Sequence, residues 1–180
     1  MNPSISIQTF QEKYAEEIRS LIFDIQRNEF HIEISPRDQP DLFDISGFYQ
    51  KGTGNFWVAG ASGKIVGTVS LLDIGNRTHA LRRMFVHKEF RGPVFQTAAL
   101  LLSEALAWAH NNNISEIYLG TTTRFLAAHR FYEKNDFMNI DESLLPEAFP
   151  RMKVDTIFYK RSLDIKNKNS SSEQRFHSRE

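Results

Sequence analysis

The chain has 180 residues, a length typical of one domain followed by a short extension. Its 22 basic and 22 acidic residues cancel, which argues against a nucleic-acid-binding protein that depends on neutralising many phosphates. The absence of cysteine excludes disulfides, cysteine-ligated zinc and a cysteine nucleophile, while 15 phenylalanines and a hydrophobic fraction of 41% are enough for a buried core.

The two ends of the chain carry no membrane signal. The N-terminus lacks the basic segment and apolar run of a signal peptide, and no apolar run approaches the ~20 residues that span a bilayer. We therefore expect a cytoplasmic protein that binds neither membranes nor nucleic acid. The polar, Ser/Asn-rich composition after Lys166 predicts one domain over 4–163 and a disordered tail over 166–180.

Hydrophobic periodicity predicts strands and helices in alternation through the first half of the chain. Ile5–Thr9 alternates as a strand does, and apolar residues recur at helical spacing over Gln11–Asn28. A loop rich in proline and glycine follows, with a short helix near Leu42–Tyr49. Three β-rich runs separated by tight turns come next, namely Asn55–Ala61, Lys64–Asp73 and His79–Val86.

The second half is predicted to contain two helices and three strands. The longer helix should begin at Pro93, with Gly92 as its N-cap, and end near Asn111. The remaining elements are a strand at Ile117–Gly120, a helix at Phe125–Asn135, and strands at Phe137–Ile140 and Asp155–Leu163. This order indicates an α/β fold with a mixed sheet.

The turn after the third β-rich run has the features of an anion site. If the helix begins at Pro93, the backbone amides of Val94, Phe95 and Gln96 lack partners within the helix. These amides, the helix dipole and the charge of Arg91 together suit a pyrophosphate.

Two segments resemble motifs of the GNAT family of N-acetyltransferases. Leu81–Gly92 is similar to the family's apolar strand and the Arg-Gly turn after it. Ala128–Phe137, which reads AHRFYEKNDF, is similar to the end of its late helix, and the strand Glu116–Gly120 lies between the two. Leu119–Thr122 and Phe149–Thr156 also resemble a bacterial subgroup of this family.

The resemblance implies a single-domain GNAT-like fold. Such a fold has a mixed, mostly antiparallel, twisted sheet with a splayed parallel strand pair and helices on both faces. It implies acetyl-CoA as the acetyl donor, no metal, and direct attack by a primary amine of a small molecule or peptide. Homodimer formation stays open.

The resemblance also implies roles for individual residues. The backbone of Met84, Phe85 and Val86 would pair with the pantetheine arm of acetyl-CoA, and Phe125 occupies a position where the family often has a pantetheine-binding asparagine. Tyr132 would protonate the departing thiolate, with an ordinary helix tyrosine as the alternative. The pyrophosphate would contact Arg91 and the loop residues Gly92, Val94, Phe95, Gln96 and Thr97.

The loop departs from the family pattern at two positions. Val94 and Gln96 stand where the family has small residues, and a Val side chain is expected to obstruct a phosphate. A second interpretation is therefore a non-catalytic binding module of the same fold with a weakened or lost acetyl-CoA site.

Three weaker signals concern the acceptor and metals. His79 begins a strand where some family members place a general base, and its ordinary pKa near 6.5 suits that role, although a plain strand histidine is the favoured interpretation. The segment 29–50 has five acids against the single base Arg37, which indicates either steering of a cationic amine or a solvated loop. No histidine pair has metal-binding spacing with a suitable glutamate, so no metal site is predicted.

Overall fold

The structure, a computed structural model, describes residues 2–163, and the predicted tail over 166–180 lies outside them. The strands are β1 (Ser6–Thr9), β2 (Asn55–Ala61), β3 (Lys64–Asp73), β4 (Thr78–Val86), β5 (Glu116–Thr121), β6 (Met138–Ile140) and β7 (Ile157–Ser162). The helices are α1 (Ala15–Asp24), α2 (Ile45–Tyr49), α3 (Thr97–Asn111) and α4 (Leu126–Lys134).

The seven strands form one sheet in the order β1-β2-β3-β4-β5-β7-β6, in which only β4 and β5 run parallel. Side chains alternate between the faces of each strand, so β2 supplies two separate cores. Phe56 and Val58 pack with α1 and α2, whereas Trp57 and Ala59 pack with α3 and α4. The predicted mixed sheet with helices on both faces is confirmed.

Two predicted helices differ from those observed. The first is regular only over α1, because a 3₁₀ turn precedes it and a π-helical turn, Ile25–Glu29, follows it. The prediction that α3 begins at Pro93 is wrong. The chain instead makes a turn after Gly92, and Gln96 then takes a left-handed conformation (φ 52°) before the first helical residue, Thr97.

The parallel strands β4 and β5 pair for only three residues. Thr78–Ala80 lies beside Glu116–Tyr118, and beyond this point both strands continue without pairing to each other. The pairing of β4 with β3 also shifts at a bulge, where Arg83 adopts a positive φ of 56°. The sheet therefore opens between β4 and β5, and β4 bends at the opening.

A buried ion pair holds the bulge to the segment before α2. Arg83 donates to Asp41 through two nitrogens, at 2.8 and 2.6 Å, and both residues are about 95% buried or more. Arg83 also donates to Gln39 at 2.5 Å, and the Tyr49 hydroxyl donates to Asp41 at 2.6 Å. Gln39 in turn exchanges two hydrogen bonds with Gln26, so the π-helical turn after α1 joins the same network.

His79 is fully buried on the face of the sheet that carries α3. Its Nε2 lies 3.0 Å from the Thr53 hydroxyl, which is also 3.2 Å from a carboxylate oxygen of Asp73. The indole of Trp108 donates to the Thr53 carbonyl at 2.8 Å. The Nδ1 of His79 has no partner among the described residues, and burial lowers its pKa despite the charge of Asp73.

Replacing Asp41 should test the buried ion pair. We expect Asp41→Asn to lower the free energy of unfolding by ~3–5 kcal/mol, because it leaves the Arg83 guanidinium buried without a counterion. Urea denaturation measures this loss. The exposed change Glu104→Gln, on α3, should stay within ~0.5 kcal/mol and serves as the control. Equal losses in the two variants would contradict a central role for the pair.

His79 should make the protein sensitive to mild acid. Since the unfolded state binds the His79 proton more readily than the folded state, stability is fully present above pH ~6.5 and falls as pH drops toward the lowered folded pKa. One proton contributes a slope of at most ~1.4 kcal/mol per pH unit. Urea denaturation between pH 7.5 and 5.5 should show a shallower slope for His79→Gln, and parallel slopes would contradict this assignment.

Candidate active site

A cavity of about 670 Å³ occupies the opening between β4 and β5. Its walls come from the second half of β4, the end of β5, the first turns of α4 and the loop before β7. Most of the lining is apolar, as is typical of pockets for small molecules and cofactors.

The structure brings seven of the predicted site residues to this cavity. They are Met84, Phe85, Val86, Arg91, Gly92, Phe125 and Tyr132. Four predicted site residues lie outside the cavity lining, in the turn that leads into α3, namely Val94, Phe95, Gln96 and Thr97. His79 is not brought to the cavity, because it lies in the core under α3.

Arg91 lies at the end of the cavity nearest α3 and already has protein partners. Its Nε donates to the Val86 carbonyl at 2.7 Å, and its terminal nitrogens pair with both carboxylate oxygens of Glu29. The guanidinium also lies 5.8 Å from the centre of the Phe30 ring. An anion that binds Arg91 must therefore compete with Glu29 or share the arginine with it.

The turn before α3 keeps the open backbone that the predicted anion site requires. Val94 is 67% exposed, so its side chain points largely away from the cavity. Gln96 takes the left-handed conformation that a small residue usually supplies. The amides of Thr97, Ala98 and Ala99 have no backbone acceptor within residues 2–163. Of the amides predicted to be free, those of Val94 and Phe95 also have no backbone acceptor within these residues, whereas the Gln96 amide donates to the Gly92 carbonyl at 3.0 Å.

Tyr132 closes the cavity from α4. The residue is 94% buried, and its hydroxyl makes no hydrogen bond within the described part of the chain. Burial, reinforced by the nearby charge of Asp155, raises the pKa of Tyr132 far above its ordinary value. The phenol thus stays protonated at any physiological pH and is free to donate to a bound group.

Phe125 belongs to an aromatic group at the base of the cavity. Its ring lies 4.7 Å from that of Phe30 and 6.2 Å from that of Phe85, both edge to face. This packing joins the start of α4 to the π-helical turn after α1 and to β4. The position therefore supplies an apolar wall in place of the amide that the family often has there.

Four charged residues that line the cavity were not singled out from the sequence, namely Arg82, Arg83, Arg124 and Asp155. Arg82 is 12% exposed in its side chain, and Asp155 lies in the loop before β7 against Gly120. The available signal for Arg82 was a pair of consecutive arginines in an otherwise apolar strand. No local pattern marks Asp155, because the fold alone brings its loop to β5.

The acidic segment 29–50 is largely neutralised within the protein. Glu29 pairs with Arg91 and Asp41 with Arg83, Asp38 accepts bonds from Ser35, and Asp44 caps α2 at the Gly47 amide. Four of the five acids are thus already engaged, so the segment gives little support to steering of a cationic amine.

Two further searches were confined to the described residues. Within 2–163, no three histidine or acidic side chains come together as metal ligands would. In the same range, no helix has the length and apolar character needed to cross a bilayer.

Comparison with known proteins gives curated relatives that match part of the chain. N-acetylaspartate synthetase of Danio rerio is 39% identical over 105 residues, which is 57% of this chain and 36% of that protein. The chain thus spans about a third of the length of the curated relatives it matches.

Solved structures match nearly the whole described fold. An acetyltransferase of the GNAT family from Staphylococcus aureus superposes with a TM-score of 0.87 at 39% identity, over 89% of this chain and all of that one. An N-acetyltransferase from Thermoplasma acidophilum in complex with coenzyme A shares the fold, with a TM-score of 0.67 at 16% identity, over 89% of this chain and 99% of that one.

The family model described as "Acetyltransferase (GNAT) family" matches residues 19–137, which run from α1 to the turn before β6 and include both sides of the cavity. The match therefore extends over the opening in the sheet, the turn before α3 and the helix that carries Tyr132. On this evidence the chain belongs to the GNAT family of acetyltransferases.

Proposed function

We propose that the protein transfers an acetyl group from acetyl-CoA to a primary amine of a small molecule or peptide. The observation that carries the proposal is the cavity between β4 and β5, whose lining includes both Tyr132 and Arg91. The names of the curated relatives add weight, since N-acetylaspartate is the acetylated form of an amino acid.

The unpaired edge of β4 supports the binding of a pantetheine arm. Beyond Ala80 this edge has no partner strand, and Met84 has no partner in the register with β3 either. Backbone groups of Met84 and Phe85 and the Val86 amide are therefore left for an amide-bearing ligand in the gap, whereas the Val86 carbonyl already accepts from Arg91. The apolar walls from Phe125 and α4 would exclude water from such a ligand.

The turn before α3 supports the binding of phosphates. Arg91 supplies a positive charge, and the first amides of α3 are free of backbone acceptors within residues 2–163. The departures at Val94 and Gln96 do not fill this space, since the Val94 side chain points outward and Gln96 keeps the left-handed backbone. This observation favours an enzyme over the non-catalytic module of the same fold.

Tyr132 would act on the leaving group. Acetyl-CoA, when bound, supplies a thioester that a neutral amine attacks directly, without a covalent intermediate on the protein. A thiolate leaves as the carbon–sulfur bond breaks, and the phenol of Tyr132 can give it a proton. The raised pKa of Tyr132 keeps that proton in place until the thiolate forms.

The tyrosine assignment predicts a change in turnover without a change in binding. Tyr132→Phe should lower kcat by ~10-fold, because the hydroxyl acts on a charge that exists only as the bond breaks. The dissociation constant of acetyl-CoA and the melting temperature should stay the same, since the hydroxyl has no partner to lose. Free-thiol detection with a panel of amines and calorimetric titration measure the two quantities.

Tyr118→Phe is the matched control for this experiment. Tyr118 is a tyrosine of β5 whose hydroxyl bonds to Glu116 outside the cavity, so kcat should be unchanged. Equal kcat values for wild type and Tyr132→Phe would remove Tyr132 from the mechanism. Loss of acetyl-CoA binding instead would make it a packing residue of the pantetheine site.

The assignment of Arg91 to the phosphate site predicts that variants of Arg91 and of its partner Glu29 change the affinity for acetyl-CoA in opposite directions. Arg91→Ala should weaken acetyl-CoA binding by ~1–3 kcal/mol, through loss of a charge-assisted contact. Glu29→Gln should strengthen binding, because it frees Arg91 from its carboxylate partner. Calorimetric titration measures both, with the exposed change Arg37→Ala as the control. The assignment of Arg91 fails if neither variant shifts the dissociation constant.

A further inference from the structure

A cation and an anion face the same cavity without pairing to each other. Arg82 comes from β4 and Asp155 from the loop before β7, and both line the cavity. We infer that these two side chains form the acceptor subsite for a small amino acid, in which Arg82 binds the carboxylate and Asp155 binds the ammonium and removes one of its protons. The acetyl-transfer part of this inference rests on the proposed function.

Arg82 has unused hydrogen-bond donors, and its counterion, Asp41, is shared with Arg83. Its guanidinium makes no hydrogen bond within residues 2–163, and its Nη1 lies 4.0 Å from the nearest Asp41 oxygen. Asp41 is already satisfied, because it accepts two bonds from Arg83 and one from Tyr49.

The surroundings of Arg82 keep its guanidinium in place. It lies 5.8 Å from the centre of the Phe48 ring and 6.0 Å from that of Tyr49, so two aromatic rings orient it. Its side chain is only 12% exposed, and a buried planar guanidinium with free donors matches a carboxylate.

Asp155 has one carboxylate oxygen available for a ligand. Its Oδ2 accepts the Met152 amide at 3.2 Å, while its Oδ1 has no partner among the described residues. The next amide, that of Thr156, donates to the Thr121 carbonyl at 2.9 Å and fixes the loop to β5. Burial raises the pKa of Asp155 although Arg82 and Arg83 oppose the shift, which makes the carboxylate a better proton acceptor.

Three side chains of the cavity thus have separate roles in the reaction: Arg82 binds the carboxylate, Asp155 removes a proton and Tyr132 protonates the thiolate. Tyr132 and Asp155 line the same cavity, and the charge of Asp155 adds to the burial that raises the pKa of Tyr132. Arg82 lines this cavity too and forms no ion pair with Asp155 within the described residues, so both charges are left for a ligand. The ammonium and the carboxylate of an amino acid match the two charges of the cavity. A diamine would instead place a second cation against Arg82. A peptide N-terminus would have an amide, and no carboxylate, beside its ammonium.

The protons balance over the reaction. The acceptor ammonium gives its first proton to Asp155, and the neutral nitrogen forms a bond to the thioester carbonyl carbon. As the carbon–sulfur bond breaks, Tyr132 gives its proton to the thiolate. The nitrogen then loses its second proton, which restores Tyr132, and Asp155 releases its proton to water. The products are the N-acetyl amino acid, CoA as the thiol, and one proton.

A panel of matched acceptors tests the carboxylate requirement. Glycine is compared with methylamine, alanine with ethylamine, and aspartate and putrescine are added, with acetyl-CoA and free-thiol detection. We expect kcat/KM for the amino acids to exceed that of the matched amines by at least ~30-fold, because one hydrogen-bonded contact between charged groups contributes a factor of this size. Equal values for amino acids and amines would overturn the subsite and leave the proposed function standing.

Two variants separate the two charges. Arg82→Gln should raise KM for the best amino acid by ~10–100-fold while leaving the matched amine unchanged. Asp155→Asn should lower kcat for both acceptors by ~10²-fold or more, since proton removal is needed in each case. Arg130→Gln and Glu147→Gln, which are exposed and outside the cavity, are the matched controls.

A third variant displaces Asp155 while every charge is retained. A Cβ at Gly120 would lie 2.6 Å from the Asp155 Oδ2, so Gly120→Ala must move the carboxylate. We expect a fall in kcat like that of Asp155→Asn, with the melting temperature reported for both. Unchanged kcat in two folded variants, Asp155→Asn and Gly120→Ala, would overturn the role of Asp155.

Binding measured without turnover separates this inference from the proposed function. Calorimetric titration of the same amino acids into the protein should give binding that Arg82→Gln and Asp155→Asn each weaken at least 10-fold. If this holds while acetyl-CoA does not bind, the subsite stands and the proposed function fails. If no amino acid binds and none is acetylated faster than its matched amine, the subsite fails.

Discussion

The ion pair between Arg83 and Asp41 is the constraint on which the site depends. A positive φ is costly for arginine, and a charge in the core is costlier still, so the bulge in β4 persists only because Asp41 meets the guanidinium there. The bulge turns Arg82 and Arg83 toward the same side, as their shared approach to Asp41 shows. Arg83 is then held in the buried ion pair, whereas, among the described residues, the hydrogen-bond donors of Arg82 remain free at the cavity.

The regular elements were predictable where local pattern and turn chemistry agree. β2 and β3 have the predicted bounds, because two β-rich runs flank the tight turn at Ser62-Gly63. The start of α3 was predicted wrongly for a physical reason. Gly92 and Pro93 are residues typical of a helix start. A glutamine does not favour the left-handed backbone conformation, so the sequence does not predict that conformation at Gln96.

The candidate site was predictable only in the parts that two motif-bearing segments supply. Met84 to Gly92 and the Tyr132 helix follow sequence motifs, and both reach the cavity. The acids of segment 29–50 were counted correctly, but a charge count does not show that Arg91 and Arg83 already neutralise two of them. Asp155 was beyond reach, since its position against Gly120 arises from the pairing of β7 with β5.

Because β4 and β5 pair over only three residues, the unpaired parts of both strands form two inner edges in addition to the two outer edges of the sheet. Unpaired strand edges are templates on which other chains can add a strand and aggregate. Here the two inner edges lie beneath α4 and the loop that carries Phe149 and Met152. These elements cover both edges against a further strand, while a ligand with amides of its own can pair with them inside the cavity. The same covering therefore limits aggregation at the two inner edges and forms the binding cavity.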